Sequence, residues 1–219
     1  MMRCLPVVLL CFLLVPALVS AQSTSVGTRQ GVGLSQLYAT GNGFARDFAI
    51  NQEFNTGYVG GVIVQQMANR TVGFQGGLLY ANKGWSQVLD DGLVYTTNLN
   101  YAELEGLTHL QFGRGNFKFF IQAGIFGGLV ISTTDNYGEI SDPDLIRYRY
   151  DIDEDNKINF GLKGGGGLAL ETSAGIFQAN FLFGQALGNL IDTSTTTRAL
   201  FTQVQTIEIG LTYLILLNK

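Results

Sequence analysis

Apolar and polar residues alternate along the segment from Lys157 to Gly184, which predicts two adjacent β-strands joined by a tight turn at 172–175. One face of the first strand carries large apolar side chains, at Ile158, Phe160, Leu162, Leu168 and Leu170. The other face is small, polar and rich in glycine. Because side chains alternate with a period of two along a strand, each set lies on its own side. Such a strand suits a membrane β-barrel, which has lipid on one side and a polar interior on the other.

The same alternation recurs along the chain in eight segments: 26–39, 56–68, 72–82, 97–112, 117–133, 157–171, 176–187 and 202–217. Short and long connections alternate between them, and the short ones lie at 69–71, 113–116 and 172–175. Bacterial outer-membrane barrels have short periplasmic turns and long external loops. We therefore predict an all-β fold, an eight-stranded antiparallel up-and-down transmembrane β-barrel with both termini in the periplasm.

The composition supports a membrane barrel rather than a soluble one. Charged residues make up 14% of the chain, against about 25% in ordinary soluble domains. Glycine accounts for 29 of the 219 residues, against a usual share of about 7%. The alternative is a soluble lipocalin-like barrel that binds an apolar ligand and turns the same apolar face inward. Its surface would then be the glycine-rich face, which is poor in charge for a soluble protein.

The first 21 residues predict a cleaved secretory signal peptide, so that the barrel domain spans 22–219. Arg3 precedes an apolar run over 5–19, and Val19, Ser20 and Ala21 form a small-residue cleavage site. Cleavage removes both cysteines, Cys4 and Cys11. The mature chain would therefore contain neither disulfides nor cysteine metal ligands. The predicted location is the bacterial outer membrane.

Several charged and polar residues fall on the predicted interior face: Arg29, Glu103, Glu105, His109, Lys163 and Glu208. A charge away from bulk water is costly unless it is paired. We expect Lys163 to pair with Glu103 or Glu105, and Arg29 to pair with Glu208. The favoured interpretation is a polar plug that fills and rigidifies the barrel. The alternative is a path for protons or ions.

Three aromatic residues near the external strand ends, Tyr80, Trp85 and Tyr95, suit an aromatic girdle at the membrane surface. The longest predicted loop, 134–156, holds Asp151, Asp153 and Asp155 at the spacing that begins a calcium-binding loop. The glycine and glutamate that complete such a loop are missing, which favours a solvated acidic loop. Arg147 and Arg149 in the same loop would suit lipopolysaccharide phosphates.

The motif pattern resembles the PorT-like outer-membrane β-barrel family of Bacteroidota. The resemblance is carried by GGLLYANKG over 76–84, by Tyr101 and Glu103 in the following strand, and by FGQAL over 183–187. Glu105 stands where this family usually has proline. The resemblance implies an eight-stranded barrel, and PorT itself is associated with protein secretion across the outer membrane.

The expected function is that of a small outer-membrane barrel with a structural, interaction or secretion-accessory role. Its partners would be outer-membrane lipid, lipopolysaccharide and another envelope or secreted protein bound through the external loops. No basic patch suggests nucleic acid, and no cofactor is expected. An outer-membrane hydrolase is the less favoured alternative, because His109 is the only histidine and has no serine nearby in sequence. We therefore do not expect an enzyme.

Overall fold

The computed structural model describes residues 23–40, 52–88, 92–136, 150–190 and 201–218. The predicted signal peptide and Arg147 and Arg149 lie outside these ranges. The described chain forms nine β-strands, which are β1 (Ser23–Thr40), β2 (Gln52–Glu53), β3 (Asn55–Met67), β4 (Val72–Val88), β5 (Val94–Phe112), β6 (Phe117–Asn136), β7 (Ile158–Thr172), β8 (Gly175–Ala186) and β9 (Phe201–Asn218). None of the described residues forms a helix long and apolar enough to cross a membrane.

The eight long strands close into an antiparallel ring. Each pairs with its neighbours along the chain, and β1 pairs with β9 to close the ring. The two-residue β2 adds only a short pairing to the edge of β4. Closure leaves no exposed sheet edge, which is the condition for a sheet to cross a bilayer. The predicted eight-stranded antiparallel barrel is confirmed.

The barrel has two chemically different ends, which we name the turn end and the loop end. The turn end holds the connections 68–71, 113–116 and 173–174, together with the start of β1 and the end of β9. Gly113, Gly115 and Gly175 adopt positive φ there, which glycine does without the strain of a Cβ atom. The loop end holds the other connections. One of them, 89–93, is only five residues long, because β4 and β5 run past the ends that the sequence pattern predicts.

The outside of the barrel is an apolar band. On β9 it runs from Ile207 to Leu217, and on β5 from Ala102 to Phe112. This length matches the 9–11 residues that a tilted strand needs to cross a bilayer. Exposed aromatic and aliphatic side chains cover the band, including Phe119, Phe177, Phe181 and Ile209. The lipocalin-like alternative is wrong, because the apolar face points outward and the polar face fills the interior.

Several strands are longer than the sequence pattern suggested. The alternation predicted an end at 82 for β4, but this strand continues to Val88 and pairs there with the start of β5. The strand pairing therefore extends past the apolar band at the loop end. This extension also keeps the inside–outside alternation of β4 running through Lys83 and Trp85.

The glycine run 164–167 lets β7 approach its neighbours closely. A Cβ atom on Gly165 would lie 2.0 Å from the carbonyl oxygen of Phe181, and one on Gly167 would lie 2.7 Å from the ring of Phe120. Any larger residue would force these strands apart. The inward-facing glycines of the run, Gly165 and Gly167, also leave interior space for large side chains such as Phe120.

Candidate functional site: the barrel interior

A cluster of buried charges occupies the middle of the barrel, and Lys163 is its centre. Alternation on β7 points this lysine inward, and alternation on β5 does the same for Glu103 and Glu105. The Lys163 ammonium lies 2.6 Å from Glu103, 3.0 Å from Glu105 and 3.1 Å from Glu208. One cation is therefore shared by carboxylates from two different strands.

Arg29 forms a second part of the cluster. Its guanidinium donates to Glu105 at 2.6 Å and to the amide oxygen of Gln75 at 2.7 Å. The predicted pair of Arg29 with Glu208 is wrong. Strand register explains the difference, because Arg29 pairs with Thr212 across β1 and β9 while Glu208 lies opposite Gly33. Four residues along a strand correspond to about 13 Å, which places Glu208 closer to Lys163.

Lys83 is an interior residue that the alternation over 72–82 does not predict. This side chain is 2% exposed, donates to Glu103 and has its ammonium 4.8 Å from the centre of the Phe126 ring. Its inward direction follows once the alternation of β4 is extended beyond Ala81. The described cluster then holds three cations, Arg29, Lys83 and Lys163, and three carboxylates, Glu103, Glu105 and Glu208. Its formal charges cancel.

A layer of amides fills the interior between the charged cluster and the turn end. Gln178 donates to Gln65 at 2.8 Å, and Gln122 donates to Gln75 at 2.7 Å. His109 joins this layer through its Nδ1 atom, which lies 2.9 Å from the amide nitrogen of Gln122, and its ring stacks on Phe120. The histidine therefore belongs to a hydrogen-bond network, and both of its described polar neighbours are glutamine amides.

An apolar cluster closes the interior at the loop end. It contains, among others, Leu37, Trp85, Leu99, Tyr101, Phe126, Val130, Tyr150, Leu190 and Val204. Tyr150 comes from the loop before β7 and donates to the backbone oxygen of Asn156 at 3.0 Å. Burial raises the pKa of Tyr150 to about 12, and Asp155 and Asp151 act in the same direction. The hydroxyl is therefore neutral at physiological pH, as an apolar site requires.

The predicted aromatic girdle needs correction at two of its three positions. Trp85 and Tyr95 are fully buried, whereas Tyr80 is 42% exposed on the outer face. The phase of the alternation explains this, because odd-numbered residues of β4 and β5 point inward. The Tyr80 hydroxyl donates to Asn100 at 2.7 Å, and Asn100 in turn bonds Ser132. This row of outward polar groups begins where the apolar band stops.

A polar cavity of about 950 Å³ lies at the turn end. Gln65 and Gln111 from the amide layer line it, as does Lys118, which pairs with Glu171. From the turn end to the loop end, the interior thus has three regions: a polar cavity, a hydrogen-bonded and charged core, and an apolar cluster. In the last two regions buried side chains from facing strands meet across the barrel, as Arg29 does with Gln75 and Lys163 with Glu103, which agrees with the capacity of eight strands.

The acidic loop around Asp151, Asp153 and Asp155 is held by contacts among its own residues and Lys157. The Asp155 carboxylate accepts a hydrogen bond from the backbone nitrogen of Asp151, and the Asp151 carboxylate accepts one from that of Asp153. Asp153 lies 3.6 Å from the ammonium of Lys157. In the part of the chain that the structure describes, no three acidic, histidine or cysteine residues are placed to hold a metal ion. The carboxylates close a turn instead.

The sequence matches the model of the outer membrane protein beta-barrel domain family over residues 20–192. The chain therefore belongs to this family, and it is a small outer-membrane β-barrel protein.

Solved structures of similar shape include Ail, the attachment invasion locus protein of Yersinia pestis, at 11% identity and a TM-score of 0.41, covering 87% of this chain and 98% of that one. Neisserial surface protein A has 9% identity and a TM-score of 0.45, with 87% and 96% covered. OprG from Pseudomonas aeruginosa has 10% identity and a TM-score of 0.45, with 89% and 97% covered. A search of the curated proteins finds no match.

Replacing the central cation should weaken the barrel strongly. Lys163→Met leaves three carboxylates with two cations, and breaking a buried ion pair in this way costs about 3–5 kcal/mol. We expect urea unfolding from lipid vesicles to show a loss of that order. The control Lys118→Met removes a partly exposed pair and should cost at most about 1 kcal/mol. Adding Glu208→Gln to Lys163→Met should recover part of the loss; equal stability of Lys163→Met and wild type would contradict the assignment.

Trp85 is the only tryptophan of the chain, so its fluorescence reports whether it lies inside the barrel or in a membrane girdle. We expect phospholipids brominated on their acyl chains to leave its emission nearly unchanged, because the barrel wall separates the ring from lipid. The matched control carries Trp85→Phe and Tyr80→Trp, which puts the indole on the outer face and should be quenched. Strong quenching of the wild type by brominated lipid would restore the girdle interpretation.

Proposed function

We propose that this protein is a closed outer-membrane barrel that presents its loop-end segments to another envelope or secreted protein, in an interaction or secretion-accessory role. The observation that carries the proposal is the filled interior. The charged cluster around Lys163 and the apolar cluster around Trp85 lie one above the other. A solute crossing the membrane through the barrel would have to displace both. The side chains that can contact another molecule in water then lie at the two ends of the barrel.

We infer that the turn end faces the periplasm and the loop end faces the exterior. The support is the general rule that such barrels keep short turns on the periplasmic side. Both ends of the mature chain then lie in the periplasm, following cleavage of the signal peptide over residues 1–21. This orientation directs β5 and β6, which extend beyond the apolar band, away from the cell.

The segment 137–149 is the strongest candidate for recognition, since it follows β6, the longest strand of the wall, at the loop end. Its sequence combines acidic residues with Arg147 and Arg149. Arginine binds phosphate oxygens in a forked geometry, so these two residues would bind lipopolysaccharide phosphates beside the barrel. The neighbouring acidic turn around Asp153 would remain in solvent.

The finer family placement is also a proposal. We place the chain with the PorT-like barrels of Bacteroidota, on the order of the motifs at 76–84, 101–103 and 183–187. The interior gives two of these motif residues a physical role, since Lys83 and Glu103 form a buried ion pair. A secretion-accessory role is consistent with a barrel that offers a rigid platform but no channel of its own.

A loop replacement tests this function. Residues 137–149 are replaced by a glycine–serine segment of equal length, and the control variant has 69–71 at the turn end replaced in the same way. Both variants should keep the heat-modifiable gel mobility of a folded barrel. Crosslinking on intact cells should lose its protein adducts only in the 137–149 variant. Identical adducts in this variant and in wild type would contradict the proposal.

A further inference from the structure

An apolar groove of about 470 Å³ lies on the outside of the barrel near the turn end. Its floor is Ala179 on β8. Leu168 on β7 and Leu211 on β9 are the direct cross-strand neighbours of this alanine and form the two walls. Phe177 and Tyr213, whose rings lie 4.9 Å apart, close the groove on the side of the turn. A single small residue among large ones thus creates a depression in the apolar band.

Two polar groups at the rim of the groove already have partners within the protein. The Gln30 amide oxygen accepts a hydrogen bond from the Tyr58 hydroxyl, and the Tyr213 hydroxyl donates to the backbone oxygen of Ala174 at 2.6 Å. The groove therefore offers an occupant apolar contact and little hydrogen bonding. A ligand without polar groups along its length fits this chemistry best.

The groove is narrow at its floor, which limits what can reach Ala179; Phe117 on β6 and Gln30 on β1 line it farther out. Neighbouring strands are about 4.8 Å apart, so the backbones of β7 and β9 lie roughly 10 Å apart across Ala179. The walls of Leu168 and Leu211 take up part of that distance. An α-helix with its side chains is about 10–12 Å across and cannot reach this floor. One linear hydrocarbon chain can.

We propose that this groove is a binding site for one acyl chain of a membrane phospholipid, held between Leu168 and Leu211 against Ala179. The groove is continuous with the lipid-facing band, and it opens near the turn end of that band. The site lies on the opposite side of the wall from the charged core and far from the loops. It is therefore independent of the recognition role proposed for the loop end, except that the leaflet follows from the proposed orientation.

The test counts phospholipids retained by the purified barrel. Wild type is reconstituted in nanodiscs of phosphatidylethanolamine and phosphatidylglycerol, extracted into mild detergent and measured by native mass spectrometry. We expect one phospholipid to stay bound after the others are removed. Ala179→Phe fills the groove and should lose it. The matched control Ala102→Phe lies on β5 in the same band, outside the groove, and should keep it.

Folding is verified for each variant by heat-modifiable mobility, and Ala179→Leu serves as a second, smaller filling variant. Equal retention in wild type and both Ala179 variants would overturn the proposal, as would retention of no phospholipid by wild type. A mass corresponding to two barrels that disappears in Ala179→Phe would also overturn it, because the groove would then receive a second copy. Loss of phospholipid with unchanged crosslinking through 137–149 would uphold the site and leave the loop function separate.

Discussion

The ammonium of Lys163 is shared by three carboxylates in a space from which bulk water is excluded, and the rest of the interior is arranged around this requirement. Each buried charge loses hydration on entering the barrel, and only close, opposite charges make up for the loss. Arg29 and Lys83 bring the cluster to balance. The amide layer separates the charged cluster from water at the turn end, and the apolar cluster separates it from water at the loop end.

The same constraint explains the wall. Large interior side chains need space in an eight-stranded barrel, whose lumen is only wide enough to be filled by side chains. Glycines such as Gly165 and Gly167 provide it because they carry no side chain into the interior; the Phe120 ring lies where a side chain of Gly167 would start. The outside faces lipid, so the alternate positions are large and apolar. A sequence low in charge and high in glycine is the direct consequence of these two surfaces.

The strands, their direction and most of the inward-facing residues could be predicted from the sequence, because alternation is a local property. The inward directions of Arg29, Glu103 and Lys163 follow from it. Partners depend on register between strands that are distant in sequence, so Arg29 was paired with the wrong carboxylate. The errors at Trp85, predicted in the girdle, and at Lys83, not predicted in the interior, have another cause. β4 continues past the apolar band, and the local composition does not show where this strand ends.

Because the interior is closed, we place the function of this protein on the surfaces of the barrel and not in its lumen. Single-channel recording in planar bilayers with the purified monomer tests it most directly. The filled core predicts no steady conductance, and Lys163→Met should at most produce irregular openings as the cluster is disrupted. Steady, reproducible conductance of general-porin size from the wild-type monomer would contradict the account.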